Sequence, residues 1–437
     1  MIKITDLLNI YLQNPAVTTD TRKVRSGDIF FALRGDKFDG NAYAAAALEQ
    51  GAAWAVIDNP QYLVPGDERY LLTDNTLKTL QDLAHAWRKT FDIPILAITG
   101  TNGKTTSKEL IYAALSQGKK AWATTGNLNN HIGVPLTLLA MPRDTEIAIV
   151  EMGANQPGDI RELVEIAEPT HGLITNIGYA HLERFVNIDG VQKTKGEMFD
   201  FIRERGGSIF LNETDERVKT VAEGIPQTIT FGTPHSDYYY ELRDHQLEHM
   251  TVAVYPKNGA EPLVIHTRIT GLHNCMNILA AVAVADTFGV SRENIRTGLE
   301  AYIPANNRSQ ILERGSYKVW LDAYNANPSS MRAAISNLFS LRKDKVVLIL
   351  GDMFELGKDE IELHAALGEF INEFSPQMTI GIGPLMWHTV ERIKGPKKWF
   401  SGVEEARAAV AEDVKDAALI LLKGSRGMAL ERLAGEV

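Results

Sequence analysis

The chain has 437 residues, 44% of them hydrophobic and 23% charged, which is the composition of a globular protein too long for one core, so two or three domains are expected. Its formal net charge of −10 weighs against nucleic acid or an anionic membrane as main partner, since both reward basic surfaces, but leaves room for a local basic pocket. One cysteine, Cys275, excludes an internal disulfide and a multi-cysteine metal site, and without a signal-like start or a run of roughly 18 apolar residues the protein is expected to be cytoplasmic.

Up to about residue 82, short apolar strands at 28–33, 53–57 and 70–72 alternate with Gly- and Asp-rich turns and an Ala-rich helix at 42–49, the pattern of a small α/β domain. A second region, 83–312, opens with a strand at 93–99, a glycine loop and a helix whose Leu110, Ile111, Ala114 and Leu115 share one face. Further strands at 147–150, 173–176 and 208–211, with helical segments between them, predict a mainly parallel sheet covered by helices. A β-rich stretch from TITFG to LVIHTRITG interrupts this alternation and is expected to form an antiparallel addition before an apolar helix at 277–288. From 313 to 437 strands and helices alternate almost without exception, predicting a second, doubly wound sheet. The expected architecture is therefore three α/β domains.

The loop AITGTNGKTT, residues 97–106, is shorter than a standard phosphate loop, which has a glycine five positions before the one preceding its lysine. It nevertheless follows a strand and opens a helix, where backbone N–H groups and the helix dipole favour phosphate. Gly100 and Gly103 would let the backbone approach it, with Thr101 and Asn102 between them; Lys104 would reach the terminal phosphates, Thr105 would offer its hydroxyl to Mg²⁺ and Thr106 would support the loop.

Glu151, ending a strand in IVEMGANQPGDI, is placed to hold Mg²⁺ beside such a loop, though a strand-end acid facing solvent fits the same letters. His181 in TNIGYAHLERF is a lone histidine, a residue that Mg²⁺ does not select. Lys195 in VQKTKGEMF reads, by its chemistry alone, as an exposed helical lysine.

Together, T-G-T-N-G-K-T-T and these downstream segments resemble the Mur ligase superfamily, which includes the folylpolyglutamate synthases and uses this shortened loop. The resemblance implies a central ATPase-like domain, ATP as co-substrate, and Mg²⁺, with two ions expected. It makes Glu151 and His181 metal ligands and Lys195 a lysine carbamylated by CO₂, a cation converted to a carboxylate-like ligand. Lys104, Glu151, His181 and Lys195 would then be the catalytic set. Asn277 in GLHNCMN would read the adenine, Arg308 in NNRSQ would contact phosphates from the hinge, and Asp322 in LDAYNANPSSM would hold the ribose. Helix capping by Asn325 or Asn327 is the plainer reading of that last segment.

Substrate choice rests on other segments. The stretch from Thr18 to Ala52 resembles the uridine-nucleotide domain of the later muramyl-peptide ligases, with Thr21 and Arg22 meeting the UDP part. TTGNLNNHIGVPLTLL resembles the version in members that add D-alanyl-D-alanine to UDP-N-acetylmuramoyl-tripeptide. There Thr125, Asn127, Asn129 and Asn130 would offer neutral groups to a glycopeptide, although asparagines near glycine also make turns. GDMFELG followed by His364 matches the same members, and the D-N-P-R motif of the diamino-acid-adding ligases is missing. Asn325, Asn327, Lys423, Ser425 and Arg426 would serve the incoming peptide, the last three its carboxylate. The expected reaction is ATP-dependent amide formation through an acyl phosphate, by a monomer whose cleft closes on its substrates. The alternatives are a diamino-acid or folate ligase, or a nucleotide-binding regulatory module without activity.

Overall fold

Strands Val17–Thr18, Ile29–Phe31, Trp54–Ile57 and Tyr70–Leu72 pair in parallel, in that order, into the first sheet of the computed structural model. The structure describes residues 1–179, 182–304, 308–315, 317–342, 344–407 and 409–435, without the side chain of Leu182. Successive side chains of a strand point to opposite faces, so Phe30, Ala55 and Ile57 pack with helix Ala44–Glu49 while Ile29, Phe31 and Val56 pack the other way. That second face has no separate core. It continues through Leu7 and Tyr11, through Leu80, Leu83 and Trp87 of helix Thr76–Arg88, and into Val134, Leu138, Ile160 and Leu163 of the next unit.

The second sheet has nine strands in the order Leu263–Thr267, Met250–Pro256, Tyr238–His245, Thr228–Phe231, Ser208–Asn212, His171–Ile174, Ile95–Thr99, Ile147–Glu151 and Ala121–Ala123. Ile95–Thr99 and Ile147–Glu151 are buried along their whole length, as parallel strands covered on both faces must be. Helices Gly133–Leu139, Asp159–Ala167 and Ile188–Glu204 cover one side, and Lys104–Leu115, His273–Thr287 and Arg292–Ala301 the other. The β-rich stretch forms the expected antiparallel addition, with one difference: Thr228–Phe231 pairs in parallel with Ser208–Asn212, and only the last three strands are antiparallel to each other. Leu263–Thr267, at the edge, alternates buried and exposed residues because one face is open.

The third sheet runs Gln310–Arg314, Tyr317–Asp322, Leu419–Lys423, Val346–Gly351, Met378–Ile382 and Lys397–Phe400, parallel except for the first strand. Apolar clusters fill both its faces. Helix Pro328–Leu341 starts where Asn327 accepts the Ser330 N–H, the Ser330 hydroxyl answers the Asn327 N–H and Pro328 occupies the first turn. Among the described residues no helix is long and apolar enough to cross a membrane.

Arg88 seals the joint between the first two units. It is 6% exposed, and its guanidinium donates to the carbonyls of Ala167 (2.9 Å), Phe91 (2.9 Å) and Glu168 (3.2 Å). We predict that Arg88→Met, which strands these carbonyls, costs on the order of 3 kcal/mol in urea unfolding. A loss below about 1 kcal/mol would show that the joint rests on apolar packing alone.

Candidate active site

The short loop is held rather than loose. Gly100 (φ +149°) and Gly103 (φ +79°) adopt backbone angles that a side chain would strain. A Cβ on Gly100 would lie 1.9 Å from the Thr175 hydroxyl. The end of strand His171–Ile174 grips the loop: Thr101 N–H donates to the Asn176 carbonyl (2.9 Å), Asn102 N–H to Asn176 Oδ1 (3.0 Å), and Thr175 Oγ1 to the Asn102 carbonyl (2.6 Å). Ser107 donates to Asn277 Oδ1 (3.0 Å), and the Asn277 amide donates to Asn274 Oδ1 (2.8 Å). Two strands flanking Ile95–Thr99 thus end beside the loop, the place where doubly wound sheets bind ligands.

Two lysines converge on one oxygen. Lys104 Nζ donates to the Gly100 carbonyl (2.6 Å) and to that of Thr101 (3.3 Å), while Lys195 Nζ donates to the same Gly100 carbonyl (3.1 Å). Lys195, expected on an exposed helix face, is instead 2% exposed. Burial, with the neighbouring Lys104, pushes its pKa well below the ordinary lysine value. Burial lowers that of Lys104 too, against the opposing charge of Glu151.

Glu151 stands opposite, 1% exposed. Its Oε1 accepts from Thr105 Oγ1 (3.2 Å) and Asn129 Nδ2 (2.8 Å), and its N–H donates to Thr124 Oγ1 (2.9 Å). Oε2 is buried with no hydrogen-bond partner among the described residues. An unpartnered carboxylate oxygen beside a threonine hydroxyl at a phosphate loop suits a hard cation such as Mg²⁺. No group of three or more His, Cys, Asp or Glu among the described residues forms a metal cage. His181 lies outside the described residues.

The opposite wall comes from the third sheet. Asp322 and Lys423 face each other across adjacent strands, Nζ to Oδ2 at 2.5 Å, and Lys423 also donates to the Asn325 carbonyl (3.1 Å). Burial raises the Asp322 pKa, but Lys423 and His273 outweigh it and hold the carboxyl below its usual range. The Arg308 guanidinium lies 3.7 Å over the Tyr324 ring, and Arg426 donates to the Tyr324 hydroxyl (3.2 Å). Asn102 ties the walls together, donating to Ser329 Oγ (3.0 Å) and accepting from Asn327 Nδ2 (2.8 Å).

The cleft between the walls, about 1910 Å³ including open solvent, is lined by residues 100–106, Asn127, Asn129, Glu151, Lys195, Asn277, Arg308, Asp322, Asn325, Lys423 and Arg426 among others. Several candidates have local work as well or instead. Asn130 Oδ1 takes the N–H groups of Ile132 and Gly133 where helix Gly133–Leu139 starts. Asn327 caps helix Pro328–Leu341. Ser425 Oγ accepts the Phe354 N–H (2.9 Å). Thr125, Asn130, Ser425, Thr21 and Arg22 are not among the lining residues. Thr21 and Arg22 sit on the first sheet's turn Thr21–Lys23, where Arg22 pairs with Asp20 at 2.9 Å. Sequence reasoning missed Tyr324, whose ring carries both arginines, and the buried Lys108; no signal in the letters separates either from a surface residue.

Family profiles match three parts of the chain: the Mur ligase family catalytic domain at residues 15–88, the Mur ligase middle domain at 98–285, and the Mur ligase glutamate ligase domain at 307–426. The chain is 35% identical over 431 residues to UDP-N-acetylmuramoyl-tripeptide–D-alanyl-D-alanine ligase of Bacillus subtilis (strain 168), covering 96% of this chain and 92% of that one. A crystal structure of MurF from Acinetobacter baumannii aligns with a TM-score of 0.88 at 30% identity, over 96% of this chain and 92% of that chain. MurF ligase from Thermotoga maritima, in complex with ADP, aligns with a TM-score of 0.83 at 26% identity, over 100% and 98%.

The Asp322–Lys423 pair yields a signed prediction. Asp322→Asn leaves Lys423, which is 2% exposed, without its counter-charge, and should destabilise the protein by about 3 kcal/mol near neutral pH. Because the folded carboxyl titrates below its unfolded value of about 3.9, its contribution is complete above that pH and is lost as pH falls through the folded value. Urea unfolding of both proteins should therefore differ by a constant amount from about pH 7 to 5 and converge below about pH 4. Convergence already between pH 7 and 5 would point to another titrating group.

Proposed function

The chain belongs to the Mur ligase family, and on that premise we propose that it joins D-alanyl-D-alanine to UDP-N-acetylmuramoyl-tripeptide, with ATP cleaved to ADP and phosphate, in peptidoglycan precursor synthesis. The observation that carries the reading is the convergence of Lys104 and Lys195 on the Gly100 carbonyl, opposite the free oxygen of Glu151. Two amines that share one carbonyl are under-satisfied donors, and a polyphosphate would supply the acceptors they lack.

In this reading the terminal carboxylate of the tripeptide attacks the γ-phosphorus of ATP and ADP departs, leaving an acyl phosphate. The amine of D-alanyl-D-alanine then adds to the acyl carbon. Collapse of the tetrahedral adduct forms the amide, expels phosphate and releases the amine's proton. No side chain becomes covalently attached, so the protein's work is positioning and charge stabilisation. Lys104 and Arg308 neutralise the phosphoryl oxygens, Asn277 and Asp322 orient the adenosine, and the backbone of 100–106 cradles the phosphates. Asn127 and Asn129 face the glycopeptide, and Thr21 and Arg22 take its uridine end. Lys423 is committed to Asp322 and Ser425 to its neighbouring loop, so Arg426 is the cation available to the dipeptide carboxylate.

Thr105 and Glu151 would hold Mg²⁺, joined by His181 and by Lys195 once carbamylated; the ion supplies charge neutralisation at the phosphates. Lys195 suits that modification because its burial beside Lys104 favours the neutral amine over the ammonium, and it is the neutral amine that adds to CO₂, with loss of one proton.

Purified protein given ATP, UDP-N-acetylmuramoyl-tripeptide and candidate amines should release phosphate in dependence on D-alanyl-D-alanine; no release with any amine would sink the reading. Lys104→Met should lower kcat by about 10³ or more, the scale of losing a principal transition-state charge. Carbamylation has its own readout. Wild-type protein in ¹³C-bicarbonate should show a carbamate carbon resonance that Lys195→Met lacks, and a signal surviving in the variant would assign it elsewhere.

A further inference from the structure

The helix that follows the phosphate loop carries a second lysine that the reaction above does not use. Lys108 lies one turn after Lys104 and is 3% exposed. Its Nζ donates to the Thr124 carbonyl (2.7 Å), and its counter-charges are Glu151 and Glu109, whose Oε1 lies 3.8 Å away. Glu109 is itself engaged, accepting the Tyr302 hydroxyl (2.6 Å). A buried ammonium whose hydrogen bond goes to a neutral carbonyl is a poor way to stabilise a fold, since an apolar side chain of similar volume would fill the place without losing hydration.

What the ammonium holds is specific. Ala121–Ala123 is the edge strand of the second sheet, three residues long with one neighbour. The chain leaving it crosses toward Glu151 as residues 124–130, and there it is pinned on two sides. On one side Lys108 takes the Thr124 carbonyl. On the other, Glu151 N–H donates to Thr124 Oγ1 (2.9 Å), Asn129 Nδ2 donates to Glu151 Oε1 (2.8 Å), and Gly153 N–H donates to the Asn129 carbonyl (2.7 Å). Lys108 thus connects the phosphate-binding helix to the segment that brings Asn127 and Asn129 into the cleft.

We infer that Lys108 is a positioning residue for the uridine-linked glycopeptide: it fixes segment 124–130, and with it Asn127 and Asn129, against the helix that binds ATP phosphate. The inference rests on the ligase reading for the identity of that substrate. Its specific content is selectivity. Loss of the tether should loosen the glycopeptide side of the cleft and spare the nucleotide side, because the loop at 100–106 is held by Thr175 and Asn176, and Ser107 behind it by Asn277.

The test compares Lys108→Met, which keeps the volume without the donor, with Lys108→Gln, which keeps a neutral donor. Titration calorimetry should show UDP-N-acetylmuramoyl-tripeptide binding weakened by about tenfold or more in Lys108→Met, with ADP binding within about twofold, consistent with the loss of one buried hydrogen bond. Lys108→Gln should regain most of the lost affinity, KM for the tripeptide should rise with little change in kcat, and the thermal midpoint should not fall. Equal weakening of both ligands with a lower midpoint would overturn the inference in favour of a structural lysine, as would unchanged tripeptide affinity. If wild-type protein binds the tripeptide but releases no phosphate with D-alanyl-D-alanine, the ligase reading fails while the binding comparison still decides the role of Lys108. A wild-type protein that does not bind the tripeptide overturns both.

Discussion

Everything in the cleft is arranged around the Gly100 carbonyl, the one acceptor on which Lys104 and Lys195 both close. Bringing two lysine amines to one neutral oxygen, with one of them 2% exposed, runs against hydration and, where both are charged, against mutual repulsion. Such an arrangement persists only where the surroundings over-determine it. Here they do. Lys104 is fixed by the first turn of its helix and Lys195 by the middle of helix Ile188–Glu204. The loop between them is clamped by Thr175 and Asn176 from the neighbouring strand. The folding energy of the nine-stranded sheet thus maintains a patch of positive charge that a polyanion relieves.

The same logic explains why two sheets are needed. Each ends its parallel strands toward the cleft: the second presents Thr99, Glu151 and Ile174, the third Asp322 and Lys423. The phosphate loop alone offers donors, with little to discriminate one polyphosphate from another. The second wall adds Arg308 stacked on Tyr324, and Asn102 bonds across the gap to Ser329 and Asn327. A loop that holds phosphate on one side and touches the opposing wall on the other couples ligand binding to the apposition of the two units. That is how a ligase can keep water from a reactive acyl phosphate until the amine is in place.

Much of this was legible in the sequence where a local rule suffices. Alternating strands and helices announced two parallel sheets, and the glycine loop between strand and helix announced phosphate. The third-region strands at 346–351 and 378–382 lie where their apolar runs place them. What was not legible depends on register or on burial from a distance. Lys195 reads as an exposed helical lysine, and nothing nearby in sequence says that Gly100, 95 residues away, closes over it. Lys423 reads as a free cation because its pairing with Asp322 is set by the alignment of two strands 101 residues apart. Asn130 and Asn327 read as ligands or caps with equal ease, and both do capping work. The edge position of the β-rich stretch was equally hidden, since Thr228–Phe231 chooses a parallel neighbour before the antiparallel turn begins.

The contrast between the whole chain and its cleft is the remaining physical point. A net charge of −10 would by itself repel a substrate bearing a diphosphate and several carboxylates. Five basic side chains, Lys104, Lys195, Arg308, Lys423 and Arg426, line this cleft, and a cationic recess in low-dielectric walls focuses its field outward. Of those five, Lys423 is neutralised by Asp322, so the field near the third sheet is set by the two arginines that share the Tyr324 ring. The ring lies under the Arg308 guanidinium, and its hydroxyl accepts from Arg426. One aromatic side chain therefore holds the two arginines side by side at the third-sheet wall of the cleft.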